Sequence, residues 1–333
     1  PTLRNIEIMG NSVGSSSQLG CGGGLMMSSS SPVLENVHIH GNTGIFGSGL
    51  FAYNSTATLT NCLIEDNLMI YDNFTDDPRG GGIYSVDSDL TLVNTSVTGH
   101  QDLDAGGGMY LIGVNDSSNL DMTGGLVGGN SATVNGGGMY MNGGQADLTG
   151  VTFDGNTKLA PSFYMQGGAC YATNTTATLD SLTVTGNTAS IGAGIFIEGS
   201  TNASLTNSVF SGNTASYYAG ASAFNNVTGG AISGNTVSGN AGTSNGGAGF
   251  YITGSTIDVE NNIMAFNTGG TAFGNALATS TSTLNVACND AFGNAGTSYT
   301  GITDPTGTNG NIADDPLFCK VADGDFRIAT SSP

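Results

Sequence analysis

The sequence predicts an all-β chain, a right-handed parallel β-helix (solenoid) of about eleven coils, with three short strands per coil and an irregular C-terminal cap. Three recurrences predict it: a column of Asn, an apolar residue three places ahead of each Asn, and a glycine-led block that returns at a similar interval.

The Asn column runs Asn11, Asn42, Asn67, Asn130, Asn156, Asn187, Asn213, Asn240, Asn267 and Asn294, with His100 in the one gap. The last three intervals are each 27 residues and the earlier ones run from 25 to 33. Three residues ahead stand Ile8, Ile39, Ile64, Val97, Val127, Phe153, Val184, Phe210, Val237, Met264 and Ala291. One apolar column beside one Asn column places the same short strand at the same spot in every period. The Asn suits a turn that needs a left-handed backbone, which Asn tolerates better than most residues. Stacked Asn side chains can also bond to one another along the rod, so the column is read as structural.

The second strand follows the glycine-led block, as in Gly80–Tyr84, Gly106–Tyr110, Gly136–Tyr140 and Gly167–Tyr171, with variants at 192–196 and 247–251. The third is a short alternating stretch such as Thr58-Leu59-Thr60, Leu90-Thr91-Leu92 or Ser204-Leu205-Thr206. Alternation with a period of two argues strand. A coil of three such strands cannot bury its inner face alone, so neighbours must stack. At ~4.8 Å per coil the rod is roughly 50 Å long. Residues 1–294 carry the repeats, and 295–333 are expected to pack on or cap the end.

Composition limits the function. Five Lys and Arg stand against 25 Asp and Glu, a formal charge of −20, which repels nucleic acid and anionic lipid. No apolar run is long enough to span a bilayer, so direct membrane insertion is not expected. The chain opens directly on repeat-like sequence and reads as a mature or trimmed piece of something longer. The five cysteines, at 21, 62, 170, 288 and 319, lack the close pairs of a zinc site. Cys170 takes an apolar place in its repeat. Cys288 and Cys319 flank the last segment, where a bridge between them would close that end and an outside partner would leave them apart.

The glycine block paired with Phe153-Asp154-Gly155-Asn156 and Phe210-Ser211-Gly212-Asn213 resembles the repeats of chlamydial polymorphic outer membrane proteins. The tail Asp315-Pro316-Leu317-Phe318, with Gly324-Asp325-Phe326-Arg327 and Ser332-Pro333, resembles the end of bacterial secreted right-handed β-helix proteins of the pectate-lyase-like class. The resemblance covers nearly the whole chain. It implies the fold strongly and the function weakly, because this superfold hosts lyases, hydrolases, adhesins and structural proteins alike.

Two features can carry function. An aromatic column, Phe51, Tyr84, Tyr110, Tyr140, Tyr171, Phe196, Phe224 and Tyr251, stands one residue past the glycine blocks. If Ile83 points inward, so do Leu111, Met141 and Ile197, and the rings face outward as a large exposed stripe. Such a stripe can stack on sugars or pack against protein; with the opposite parity the rings form an internal stack. The second feature is an acidic edge. The loop at 68–79 carries Asp72, Asp76, Asp77 and Arg79, and the next coil's loop carries His100, Asp102 and Asp104. Asp76, Asp77, Asp102 and Asp104 are candidate Ca²⁺ ligands; Asp77 and Asp104 are candidate acid and base, and the resemblance to lyases casts Arg79 as a base. No clustered Asp and His motif of a polygalacturonase accompanies them. His38 and His40 alternate with Val37 and Ile39 and share an outward face, but no third metal ligand is evident beside them.

The expected function is therefore a non-enzymatic, secreted or cell-surface structural or adhesive rod. Its expected contacts are multivalent, with cell-surface protein, with glycan, or with further copies of itself as an oligomer or filament. It needs no cofactor unless calcium binds at the acidic edge. The alternative is a polysaccharide lyase or glycoside hydrolase working at the 72–104 edge.

Overall fold

A computed structural model describes residues 1–13, 20–70, 79–101, 104–113, 118–159, 164–242, 247–269, 276–321 and 324–332. The chain winds as a right-handed parallel β-solenoid. Among the described residues, three long parallel sheets run its length. One, rich in outward threonine, has eleven strands from Thr2–Arg4 to Thr283–Ala287. The glycine-block sheet has eleven, from Leu25–Ser28 to Tyr299–Thr300. The third, built on the apolar column, has ten, from Glu7–Met9 to Ile263–Ala265.

Register is kept coil after coil. Ile8 pairs with Ile39, Ile39 with Ile64, Val97 with Val127, and Val127 with Phe153, continuing to Val237 with Met264. A one-residue slip would turn every apolar side chain outward, so the buried face enforces the register. The core is one continuous apolar column, in which Ile39, Ile64, Val97, Phe153, Val184 and Phe210 are fully buried.

The predicted Asn ladder is present, buried from Asn42 to Asn267, with Asn11 exposed and Asn294 half-buried at its two ends. Nδ2 of Asn187 donates to Oδ1 of Asn213 at 2.9 Å, and Nδ2 of Asn213 donates to Oδ1 of Asn240 at 2.9 Å. The ladder also bonds backbone, as where Asn213 Nδ2 donates to Val184 O at 2.8 Å. The left-handed corner, however, belongs to the residue before the ladder Asn, such as Gly41, Gly155 and Gly212 at φ 58°, 62° and 65°. That residue turns the chain and leaves the Asn free to point inward, which corrects the expectation that Asn itself is left-handed. A second ladder, Asn235–Asn262–Asn289–Asn311, lies at another corner, with Nδ2 to Oδ1 distances of 2.9, 2.9 and 3.1 Å.

The glycine block is a steric necessity. Gly136 is left-handed at φ 63°, and a Cβ there would lie 2.2 Å from Met139 O. At Gly108 a Cβ would meet Asn130 Nδ2 at 2.8 Å and Gly138 O at 2.7 Å, so the ladder and the next coil together exclude a side chain.

At the C-terminal end, pairing persists beyond residue 294, through the parallel contact of Leu277 with Tyr299 and the bridge of Asp290 to Ile312. Strands Phe318–Lys320 and Asp325–Ile328 then pair antiparallel, and the Phe318 ring meets Phe266 edge-on at 6.2 Å. Cys288 and Cys319 are free thiols, so no bridge joins them, whereas Cys170 is a core residue, as its place in the repeat predicts.

Candidate functional site: the outward aromatic ladder

The glycine-block sheet sets the ladder. In register, Tyr84 pairs with Phe51 and Tyr110, Tyr140 with Tyr110 and Tyr171, and Tyr171 with Phe196. Ile83, Met109, Leu111, Met141 and Ile197 fill the core on the other face, so the rings point outward from the coil. Their centroids are 5.4, 5.3, 4.6, 5.3 and 5.5 Å apart from Phe51 up to Phe196. Tyr110 and Tyr140 are within 4° of parallel.

Outward is not the same as exposed. Tyr110, Tyr171 and Phe196 show only 5, 6 and 3% of their surface. The strand spacing lies close to a ring-stacking distance, so each ring covers its neighbours' faces and leaves an edge to solvent. The expectation of a broadly exposed apolar stripe is corrected accordingly. Burial pushes the Tyr110, Tyr140 and Tyr171 hydroxyls above the ordinary phenol range, so they stay neutral hydrogen-bonding groups.

One rung is missing. Phe224, which the sequence spacing places in the column, pairs with Ile197 and Ile252 and is buried in the core. Its place in the ladder is taken by Ala223, between Phe196 and Tyr251. Ala219 occupies the left-handed corner at φ 56° where the other blocks carry Gly, so this block begins one residue earlier than its glycine suggests. The gap forms a recess of about 180 Å³ lined by Gln166, Ile191, Phe196, Tyr218, Ala223, Phe224, Asn225, Tyr251 and Thr253. Tyr218 stacks on Tyr251 at 4.9 Å and 18°, forming one wall. Gln166, Asn225 and Thr253 bring amide and hydroxyl groups, and among the described residues no charged side chain lines the recess.

Polar groups flank the ladder at two places. Tyr171 Oη donates to Glu198 Oε2 at 2.6 Å, and Asn225 Nδ2 donates to Glu198 Oε1 at 2.7 Å. Arg79 Nε donates to Asp104 Oδ2 at 2.7 Å, and its guanidinium carbon lies 5.1 Å from the Tyr110 ring centre. Burial pulls the Arg79 pKa down, but Tyr110 and Asp104 outweigh it, and the guanidinium is held more firmly charged than usual. The structure thus joins Arg79 and Asp104, two of the residues of the predicted acidic edge. Asp72, Asp76, Asp77 and Asp102 lie outside the described residues. His100, also counted on that edge, is instead fully buried in the Asn ladder.

Tyr218 and the corner column it belongs to are not marked by the three recurrences that define the coils. Bridges join Phe46 to Arg79, and Asn135 to Gln166 to Ile191, while Tyr218 pairs with Ile191. Each stands five residues ahead of its ladder position, a spacing visible in the sequence.

Fold and site together define a parallel β-solenoid repeat protein that carries one interrupted aromatic ladder on its outer surface. The family model for the right-handed β-helix region matches residues 1–127 and 137–313, and the chain belongs to that family. No curated protein and no solved structure matches it.

Proposed function

We propose that this protein is a non-enzymatic extracellular adhesive rod whose ladder face holds neutral saccharide, with the recess at Ala223 as its specific seat. The missing rung carries this reading. Elsewhere the ladder rings cover one another, whereas at Ala223 the rung is absent and the half-buried rings of Tyr218 and Tyr251 border a recess over the buried Phe196. Adjacent strands are about 4.8 Å apart, so the flanking rungs are about 9.6 Å apart. Tyr218, stacked 4.9 Å from Tyr251, takes part of that span, and a guest ring packs against Tyr218 and Tyr251 at the mouth of the recess. The recess of about 180 Å³ is small beside the roughly 300–1,000 Å³ of sites for drug-sized ligands. It suits a single sugar ring, which presents apolar C–H faces to aromatics and hydroxyls to the amides of Gln166 and Asn225.

Charge favours a neutral guest. The chain carries −20, and among the described residues no cationic side chain lines the recess to meet a uronate or sulfate. A lyase or hydrolase at the 72–104 edge is supported less well, because Arg79 is committed to Asp104 and firmly charged, a poor start for a base. The test is binding to immobilised neutral saccharides by wild type, Ala223→Trp and Tyr251→Ala. Loss of binding in both variants supports the seat; unchanged binding refutes it. Sedimentation velocity on the same samples reads self-association through this face.

A further inference from the structure

His38 and His40 project from one strand, His38–His40, of the third sheet, with Ile39 between them buried in the core. Sequence alone shows no third ligand beside this pair. Stacking supplies it. In register, Glu7 of the preceding coil lies against His38, and Glu65 of the following coil lies against His40. The side chains cross over these positions diagonally: His40 Nε2 meets Glu7 Oε1 at 2.6 Å, and His38 Nε2 meets Glu65 Oε1 at 2.8 Å. The two imidazoles stack, with centroids 4.0 Å apart and planes 23° from parallel.

We propose that Glu7, His38 and His40 form a surface site for a borderline divalent cation of the zinc type, with Glu65 as a fourth ligand. For Glu7, His38 and His40 the geometry needs little adjustment, whereas Glu65, which bonds His38, lies outside that group and must swing in to complete the set. One donor atom from each of Glu7, His38 and His40 falls within 4.8 Å of the others. Ligand atoms around a tetrahedral ion with bonds of about 2.0–2.1 Å lie about 3.3 Å apart, so small side-chain shifts close the set. Two ring nitrogens with one or two carboxylate oxygens favour Zn²⁺ and its neighbours over Ca²⁺ or Mg²⁺, which prefer oxygen alone. The paired glutamates add negative charge on a chain that already carries −20, which a dication offsets.

Position gives the site a consequence. Its ligands come from three successive coils, so a bound ion staples the coil of Glu7 to the next two. Binding to the folded state alone then stabilises those coils by mass action.

The test is calorimetric titration with Zn²⁺ on the full chain in a Cys288→Ser/Cys319→Ser background, because those free, exposed thiols would compete for zinc. One equivalent is expected, at least tenfold weaker in both Glu7→Gln and His40→Ala. Amide exchange in Glu7–Met9 is expected to slow on zinc addition in the parent and not in the variants. Circular dichroism without zinc checks that each variant keeps its fold; should one fail it, X-ray absorption of the zinc-loaded parent, showing histidine nitrogen at the metal, carries the test. No binding, binding indifferent to both substitutions, or Ca²⁺ bound as tightly as Zn²⁺ would overturn the site.

Discussion

His100 Nδ1 lies 3.1 Å from Oδ1 of Asn130, so the one histidine in the buried ladder donates to the asparagine of the next coil. Its Nε2 is left facing Nδ2 of Asn67 at 3.2 Å. An amide nitrogen can only donate, so Nε2 must accept, and the ring is neutral with its proton on Nδ1. A second proton would set donor against donor. Burial holds the His100 pKa down at about 4, against an ordinary value of 6.5.

This predicts acid sensitivity. The folded pKa lies below the unfolded one, so between pH 6.5 and about 4 the unfolded chain takes a proton that the folded chain refuses. Stability is fully present above that window and falls as pH drops through it, by on the order of 2–3 kcal/mol. His100→Asn should remove this part of the pH dependence while costing about 1–2 kcal/mol at neutral pH for the smaller side chain. Urea melts of both proteins at pH 7 and at about pH 4.5, inside the window, measure it; parallel losses in the two would refute the assignment.

Asn213 is a second probe of the ladder. Its Oδ1 accepts from the backbone N of Asn187 at 3.0 Å and from Nδ2 of Asn187 at 2.9 Å. Asn187 Nδ2 keeps Phe153 O and Thr185 O as acceptors, so Asn213→Leu leaves the buried backbone N–H of Asn187 unanswered and should cost about 2–3 kcal/mol. A loss below about 1 kcal/mol in denaturant unfolding, the size of one ordinary hydrogen bond, would mean the ladder adds little.

Tyr110 and Tyr140 stack at 4.6 Å with their planes 4° apart. Truncating either to Ala should cost about 3–5 kcal/mol. The double-mutant cycle should show coupling of about 0.5–1.5 kcal/mol. Strict additivity would mean that the rings merely lie side by side.

The Arg79–Asp104 pair tests the enzymatic alternative. Its side chains are 32 and 15% exposed, so the pair is mostly buried and Asp104→Asn, which leaves the Arg79 charge without its carboxylate, should cost about 1.5–3 kcal/mol. Saccharide binding at Ala223 should survive the change. Polysaccharide turnover by wild type that disappears in Asp104→Asn would favour the lyase or hydrolase reading.

Much of the fold is legible in the sequence because every coil repeats the same demands at the same positions. Ile39, Val97 and Phe210 each mark one inward position, and parity from Ile83 places Tyr84, Tyr110, Tyr140 and Tyr171 outward. Other features are not legible in this way. Phe224 falls in the ladder by spacing because Gly220 looks like the head of its block, whereas Ala219 takes the left-handed corner. The coverage of the rings depends on distances between coils and on corner residues such as Tyr218, which no single period reveals. The second ladder announces itself only by the 27-residue spacing of Asn235, Asn262 and Asn289. Glu7 becomes a neighbour of His40 only when unequal coil lengths are resolved into register.

The most direct measurement of the saccharide seat is a neutral-saccharide array probed with wild type and with Ala223→Trp, which fills the gap in the ladder. Wild type is expected to bind a defined set of saccharides, and Ala223→Trp, still folded by circular dichroism, is expected to lose them. Absence of binding by wild type, or equal binding by the two proteins, would contradict the proposed function.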